Sequence, residues 1–131
     1  MKRVPTILVV DDEEPSRTMI TRILRDEGHR VIPIRRGAEA QWFVQRHGTS
    51  IDLVVADFAA PETDDYHLGI PIAALLPHTP VLFVSARARE ESIHQGLLRP
   101  ETPFLRKPFP PGVLARRVRA ILERVSVPPA A

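Results

Sequence analysis

Residues 51–57 read Ile-Asp-Leu-Val-Val-Ala-Asp, an apolar run of strand length that stops in a carboxylate, Asp57. A short, nearly continuous run rich in β-branched residues describes a strand covered on both faces, as in a parallel sheet. Asp57 then stands at the strand's carboxyl end. Open α/β sheets bind ligands at that edge, because the departing loops diverge into a crevice. Three further runs end in the same manner: Ile7-Leu8-Val9-Val10 in Asp11 and Asp12, Val81-Leu82-Phe83-Val84 in Ser85, and Phe104-Leu105-Arg106 in Lys107. If the four strands are parallel neighbours, three carboxylates, a hydroxyl and an ammonium converge on one pocket.

The segments between these runs alternate with them. Residues 16–27 place Met19, Ile20, Ile23 and Leu24 on one helical face, Pro15 suits the first turn, and Gly28 closes the helix. Residues 29–34 form a second strand that Pro33 assigns to a sheet edge, since proline cannot donate to a ladder. A helix over 37–47 turns Ala38, Trp42 and Phe43 inward and ends at Gly48. From 58 to 80 the residues Pro61, Gly69, Pro71 and Pro77 permit only a short helix, 71–76, where the βα alternation requires a longer one. Residues 88–98 form a helix with a thin apolar face (Ile93, Leu97, Leu98). The last helix follows Pro110-Pro111 and carries Leu114, Val118, Ile121, Leu122 and Val125 on one face.

Five strands alternating with five helices in 131 residues predict an α/β, doubly wound, mostly parallel sheet with an irregular or short third helix. The chain is expected to form one domain, 1–126, with a frayed tail over 127–131. No second domain is read in the sequence, so action in trans on separate proteins is expected.

The 44% apolar content supports an ordinary core. With no cysteine, disulfides and thiolate zinc sites are excluded. No apolar stretch approaches the ~18 residues of a membrane span, and no basic-plus-apolar leader is seen. A soluble, cytoplasmic protein without a membrane partner is therefore expected. Of the 18 Lys and Arg residues only Lys2 and Lys107 are lysines, which singles out Lys107 as a place where a compact ammonium is wanted. Arg116, Arg117, Arg119 and Arg124 on the last helix are read as a solvated face. No DNA-binding motif accompanies them, so no direct nucleic-acid partner is expected. The histidines at 29, 47, 67, 78 and 94 lack ligand spacing and are read as surface residues.

Asp11, Asp12 and Asp57 brought together would repel: at ~4 Å and an effective dielectric near 20 each pair costs on the order of 4 kcal/mol. Lys107 supplies one positive charge. Hard oxygens without His or Cys also suit a divalent cation such as Mg²⁺, which takes six oxygen ligands and keeps several waters. Such sites serve phosphoryl chemistry, and a carboxylate can be the nucleophile that forms an aspartyl phosphate. Asp57, alone at its strand end opposite the acidic pair, is the candidate, with Lys107 and Ser85 placed to contact phosphoryl oxygens.

These residues resemble the response-regulator receiver domains of two-component signalling, over essentially the whole chain. The resemblance rests on Ile7-Leu-Val-Val-Asp-Asp-Glu13, Asp57 with Pro61 four residues on, Ser85-Ala86, and Lys107-Pro108-Phe109. It implies a flavodoxin-like sheet of order 2-1-3-4-5. It also implies that Asp57 is the phosphoacceptor and that Mg²⁺ is held by Asp11, Asp12, Asp57 and the backbone carbonyl of Ala59. Ser85, Ala86 and Lys107 would bind the phosphoryl group, and Ser85 and Phe104 would act as switch residues. The Lys107–Pro108 bond would be cis.

The implied donor is a sensor histidine kinase or a histidine phosphotransfer protein. The output is contact with a downstream protein, a phosphorylation-dependent dimer being one form of it. Such a domain catalyses only its own phosphorylation and dephosphorylation. Two departures stand out: Glu62-Thr63-Asp64-Asp65-Tyr66 replaces the usual Met-Asp-Gly-like turn, and Pro100-Glu101 replaces a Gly-Ala pair. Both fall near output surfaces. The competing readings are a phosphorylation-independent docking module and an aspartate-nucleophile phosphohydrolase. The hydrolase is disfavoured because Ala59 stands where its general acid would be.

Overall fold

The computed structural model describes residues 3–35, 37–57, 76–86 and 101–126. Five strands, β1 (Thr6–Val10), β2 (Arg30–Ile34), β3 (Leu53–Asp57), β4 (Val81–Ser85) and β5 (Phe104–Arg106), form one sheet in the order β2-β1-β3-β4-β5. Every pairing is parallel. Three described helices accompany them: α1 (Glu14–Asp26), α2 (Gly37–His47) and α3 (Pro111–Ser126). This is the doubly wound parallel sheet that the alternation predicts, in the flavodoxin-like order that the resemblance implies.

The three central strands are buried at every position, which is why their sequences are apolar on both faces rather than alternating. Successive side chains nevertheless go to opposite layers, as the period of two demands. Ile7, Val9, Leu53, Val55, Leu82 and Val84 pack against α1 and α3 through Ile20, Leu24, Leu114, Val118 and Ile121. Leu8, Val10, Val54, Ala56, Phe83 and Phe104 form the other layer with Ala40 and Val44 of α2. Burial of each large aliphatic side chain contributes roughly 1.5–3 kcal/mol. The one polar residue inside the run 51–57 is satisfied as well: Asp52 accepts a hydrogen bond from the Thr6 amide at 2.8 Å and pairs with Arg3.

β2 lies at the edge, where the missing N–H of Pro33 does no harm. The Arg25 guanidinium donates to the Val31 carbonyl at 3.2 Å and so covers part of that edge. α1 carries Pro15 in its first turn and ends before Gly28, whose φ of 92° lies in the left-handed region that glycine enters without strain.

Two helical faces differ from the sequence expectation. Met19 is exposed and Thr21 takes a buried place beside Ile20 and Leu24. Trp42, expected inward, is 54% exposed. Its ring carries the Arg46 guanidinium at 4.2 Å, a cation–π contact that covers an aromatic face without a core. Among the described side chains of α2, Ala40 and Val44 are buried, with Phe43 partly buried against the same core. His29, expected at the surface, is half-buried, and burial lowers its pKa.

Residues 71–75 of the expected helix over 71–76, the expected helix over 88–98, the tail 127–131, the histidines 67 and 94, the Ala59 carbonyl and the side chains of Ala38 and Val125 lie outside the described residues. Among the described residues no helix is long and apolar enough to cross a membrane.

Candidate functional site

Parallel pairing sets the carboxyl ends of β1, β3, β4 and β5 side by side, and the residues that end them meet there. The Val10↔Ala56 and Asp57↔Val84 registers bring Asp11, Asp57 and Ser85 to the same edge. All three are buried, at 1%, 6% and 1% exposure. Lys107 follows β5, its amide donating to the Ser85 carbonyl at 2.7 Å. The Lys107–Pro108 peptide is cis.

The Lys107 ammonium sits between two carboxylates, 3.0 Å from Asp11 Oδ2 and 3.0 Å from Asp57 Oδ2. Asp11 is fixed on several sides. Its Oδ1 accepts from the Glu13 amide at 2.9 Å, its amide donates to Ile34 O at 3.1 Å, and its carbonyl accepts from Arg17 Nη1 at 2.9 Å. Asp12 and Glu13 stand exposed at the mouth. One carboxylate oxygen each from Asp11, Asp12, Glu13 and Asp57 lies within 4.8 Å of the others.

One ammonium does not balance four carboxylates. Burial pushes the Asp57 carboxyl up from 3.8 to about 7; the Lys107 charge opposes this and the Asp11 charge adds to it. At Lys107 burial works to lower the pKa, but the two carboxylates together outweigh it and the ammonium is held above its usual value. The pocket therefore wants another positive charge, which a proton on Asp57 or a divalent cation can provide. Oxygen donors alone, two buried and two solvent-facing, suit a hard ion that keeps part of its water, as Mg²⁺ does.

Of the sequence-derived set, Asp11, Asp12, Asp57, Ser85 and Lys107 come together. Ala86 follows β4 and is exposed. Phe104 is 8% exposed, packed in the α2-side core. Sequence reasoning does not single out two participants: Glu13, a further carboxylate within reach, and Arg17, which holds the Asp11 carbonyl. The acidic run 11–14 is the signal for Glu13; Arg17 acts through a backbone contact and leaves no motif.

A five-stranded parallel sheet of this order, with a buried aspartate–lysine–aspartate arrangement at its carboxyl edge, defines a doubly wound α/β domain with an acidic site where the strands end. The family described as response regulator receiver domain matches residues 7–119. The chain belongs to that family.

Among curated proteins, an uncharacterised transcriptional regulatory protein, YbdJ of Bacillus subtilis, is 37% identical over 117 residues, covering 89% of this chain and 50% of that protein. Transcriptional regulatory protein TcrA of Mycobacterium tuberculosis is 33% identical over 122 residues, covering 93% and 47%. The chain thus spans about half the length of the curated relatives it matches. Among solved structures, a response regulator receiver protein of Sinorhizobium medicae superposes with a TM-score of 0.78 at 27% identity, covering 95% of this chain and 98% of that one. A response regulator of Thermotoga maritima gives 0.75 at 27% identity, covering 92% and 99%.

Proposed function

We propose that this receiver domain, 1–126, takes a phosphoryl group onto Asp57 from a phosphohistidine. The donor would be a sensor histidine kinase or a histidine phosphotransfer protein. The observation that carries this reading is the ammonium of Lys107 held at 3.0 Å from both Asp11 and Asp57 in a buried pocket. An ion pair of no chemical purpose would not assemble a surplus of carboxylates around one cation, because burying unpaired charge is costly.

In the transfer an Asp57 Oδ attacks phosphorus, a P–O bond forms, and the P–N bond to the donor histidine breaks. The electron pair leaves with the imidazole. Asp11, Asp12, Asp57 and the Ala59 carbonyl would hold Mg²⁺, which supplies positive charge to the phosphoryl oxygens. Glu13 is close enough to join through water. Lys107, whose partner carboxylate is consumed, pairs with a phosphoryl oxygen. Ser85 donates to another, and Ala86 leaves the group room.

Phosphorylation adds roughly two negative charges where Asp57 carried one. The Lys107–Asp57 pair is thereby replaced by a Lys107–phosphoryl pair, and Ser85 and Phe104 repack in response. The altered surface then contacts a downstream protein or a second phosphorylated copy. The domain catalyses only the gain and loss of its own phosphate, in the cytoplasm, without direct contact to nucleic acid.

Intact mass after incubation with acetyl phosphate tests this, with and without Mg²⁺, on the wild type and Asp57→Asn. The expected result is a Mg²⁺-dependent gain of one phosphoryl group, absent in the variant. A folded wild type that binds Mg²⁺ and gains no mass would overturn the phosphoacceptor role and leave a docking module.

A further inference from the structure

A second polar pocket, about 330 Å³ in volume, lies between α1 and the edge strand β2, lined by Arg17, Thr18, Thr21, Arg22, Arg25 and Pro33. Half of its described lining residues are arginines and none of them is acidic. No carboxylate among the described residues forms an ion pair with any of the three. Like charges gathered around a concavity repel one another. Ordinary helix surfaces relieve such repulsion with interleaved acids.

Two of the guanidiniums are already held in place. Arg17 Nη1 donates to the Asp11 carbonyl at 2.9 Å and Arg25 Nη2 to the Val31 carbonyl at 3.2 Å. Each uses one of five N–H groups for this, so both keep donors for a ligand while much of their side-chain freedom is gone. Arg22 is exposed and makes no hydrogen bond or ion pair among the described residues. The pocket wall also contains Thr21, 6% exposed, whose hydroxyl has no hydrogen-bond partner.

Restrained guanidinium forks with no competing carboxylate among the described lining residues match the chemistry of a phosphate group, whose tetrahedral oxygens accept several charge-assisted hydrogen bonds at once. We propose that the α1–β2 pocket is a binding site for the phosphate group of a small anionic ligand, with Arg17, Arg22 and Arg25 as its contacts. The site is separate from Asp57 and does not depend on phosphotransfer there. Arg17 nevertheless joins the two, since the same side chain holds the carbonyl of Asp11.

The test is titration of the full chain with sodium pyrophosphate and, in parallel, with ADP, in EDTA and at ionic strength fixed with NaCl, followed by calorimetry and by amide NMR spectra. The wild type should bind one equivalent saturably, with resonance changes centred on residues 17–25 and 31–33. Asp57→Asn should bind equally well. Arg22→Ala should weaken binding about tenfold or more, the loss of a hydrogen bond to a charged group, and Arg22→Lys should recover part of it.

Tighter binding of ADP than of pyrophosphate would assign the occupant as a nucleoside phosphate; equal binding would assign a bare phosphate anion. Three results would overturn the site: no saturation beyond the NaCl control, resonance changes centred on Lys107 instead of α1, or full affinity in Arg22→Ala. Arg22 is exposed and otherwise unengaged, so its replacement leaves the fold intact and the result readable.

Discussion

Replacing Asp57 by asparagine removes a charge the metal-free fold holds at a cost. The carboxyl is lifted from 3.8 to about 7 in the folded chain. A tenfold change in a protonation equilibrium corresponds to about 1.4 kcal/mol, so ionised Asp57 opposes folding by about 4 kcal/mol above neutral pH. The sign follows from proton binding. Below 3.8 the carboxyl is protonated in both states and the cost is absent. Between 3.8 and about 7 the folded state holds the extra proton, so stability falls as pH rises. Above about 7 the cost is complete. Asparagine is nearly the same size, stays neutral and keeps an oxygen for Lys107.

Urea denaturation in EDTA should therefore find Asp57→Asn about equal to the wild type near pH 4 and more stable by up to about 4 kcal/mol at pH 8. Acid-sensitive groups shared by the two chains cancel in the difference. At roughly 3–5 °C per kcal/mol for a domain of this size, the melting temperatures should separate by about 10–20 °C at pH 8. Saturating Mg²⁺ should close most of that gap, because it stabilises the ionised wild type and loses a ligand in the variant. A gap that is equal at pH 4.5 and pH 8, or a variant no more stable than the wild type at pH 8 in EDTA, would refute the charge-excess account of the pocket.

Lys107→Met leaves Asp11 and Asp57 buried without their shared cation. Urea unfolding at pH 8 in EDTA should show a loss of about 3–5 kcal/mol, smaller at pH 5, where Asp57 takes up a proton. Mg²⁺ affinity, followed by calorimetry, should rise about tenfold per pH unit up to about 7 and then level off, with proton release on binding in the rising part. An affinity independent of pH from 5 to 8 would remove Asp57 from the ligand set. Leu114 is fully buried where α3 meets the sheet, so Leu114→Ala should cost about 2–5 kcal/mol in denaturant titration and leave phosphorylation in folded protein intact.

The order in which these features become legible has a physical cause. β1, β3 and β4 are apolar because two helical layers cover them, so their sequences announce a parallel sheet. A parallel sheet in turn delivers every strand's final residue to one edge. Asp11, Asp57, Ser85 and Lys107 can thus be placed together from strand ends alone, without any long-range contact being known. Pro33 at the edge strand follows from its missing donor in the same way.

Helix faces are harder, because a residue's hydrophobicity does not say what will cover it. Thr21 is short enough to be buried on α1 while Met19 turns to solvent. On α2 the indole of Trp42 is covered by Arg46 from its own helix instead of by the core. Charge balance is harder still. The raised pKa of Asp57 depends on how deeply β3 is buried, on Lys107 arriving after β5, and on where the Glu13 amide holds Asp11, three placements no single segment encodes.

Arg17 shows where the limit falls. Its guanidinium is neither motif nor core, yet it links the Asp11 carbonyl to the arginine-lined pocket of α1. An anion bound through its remaining N–H groups would pull on a guanidinium that also holds the Asp11 carbonyl. Arg17 thus offers a direct side-chain link between the α1–β2 pocket and the acidic pocket, through a residue that sequence patterns leave unmarked.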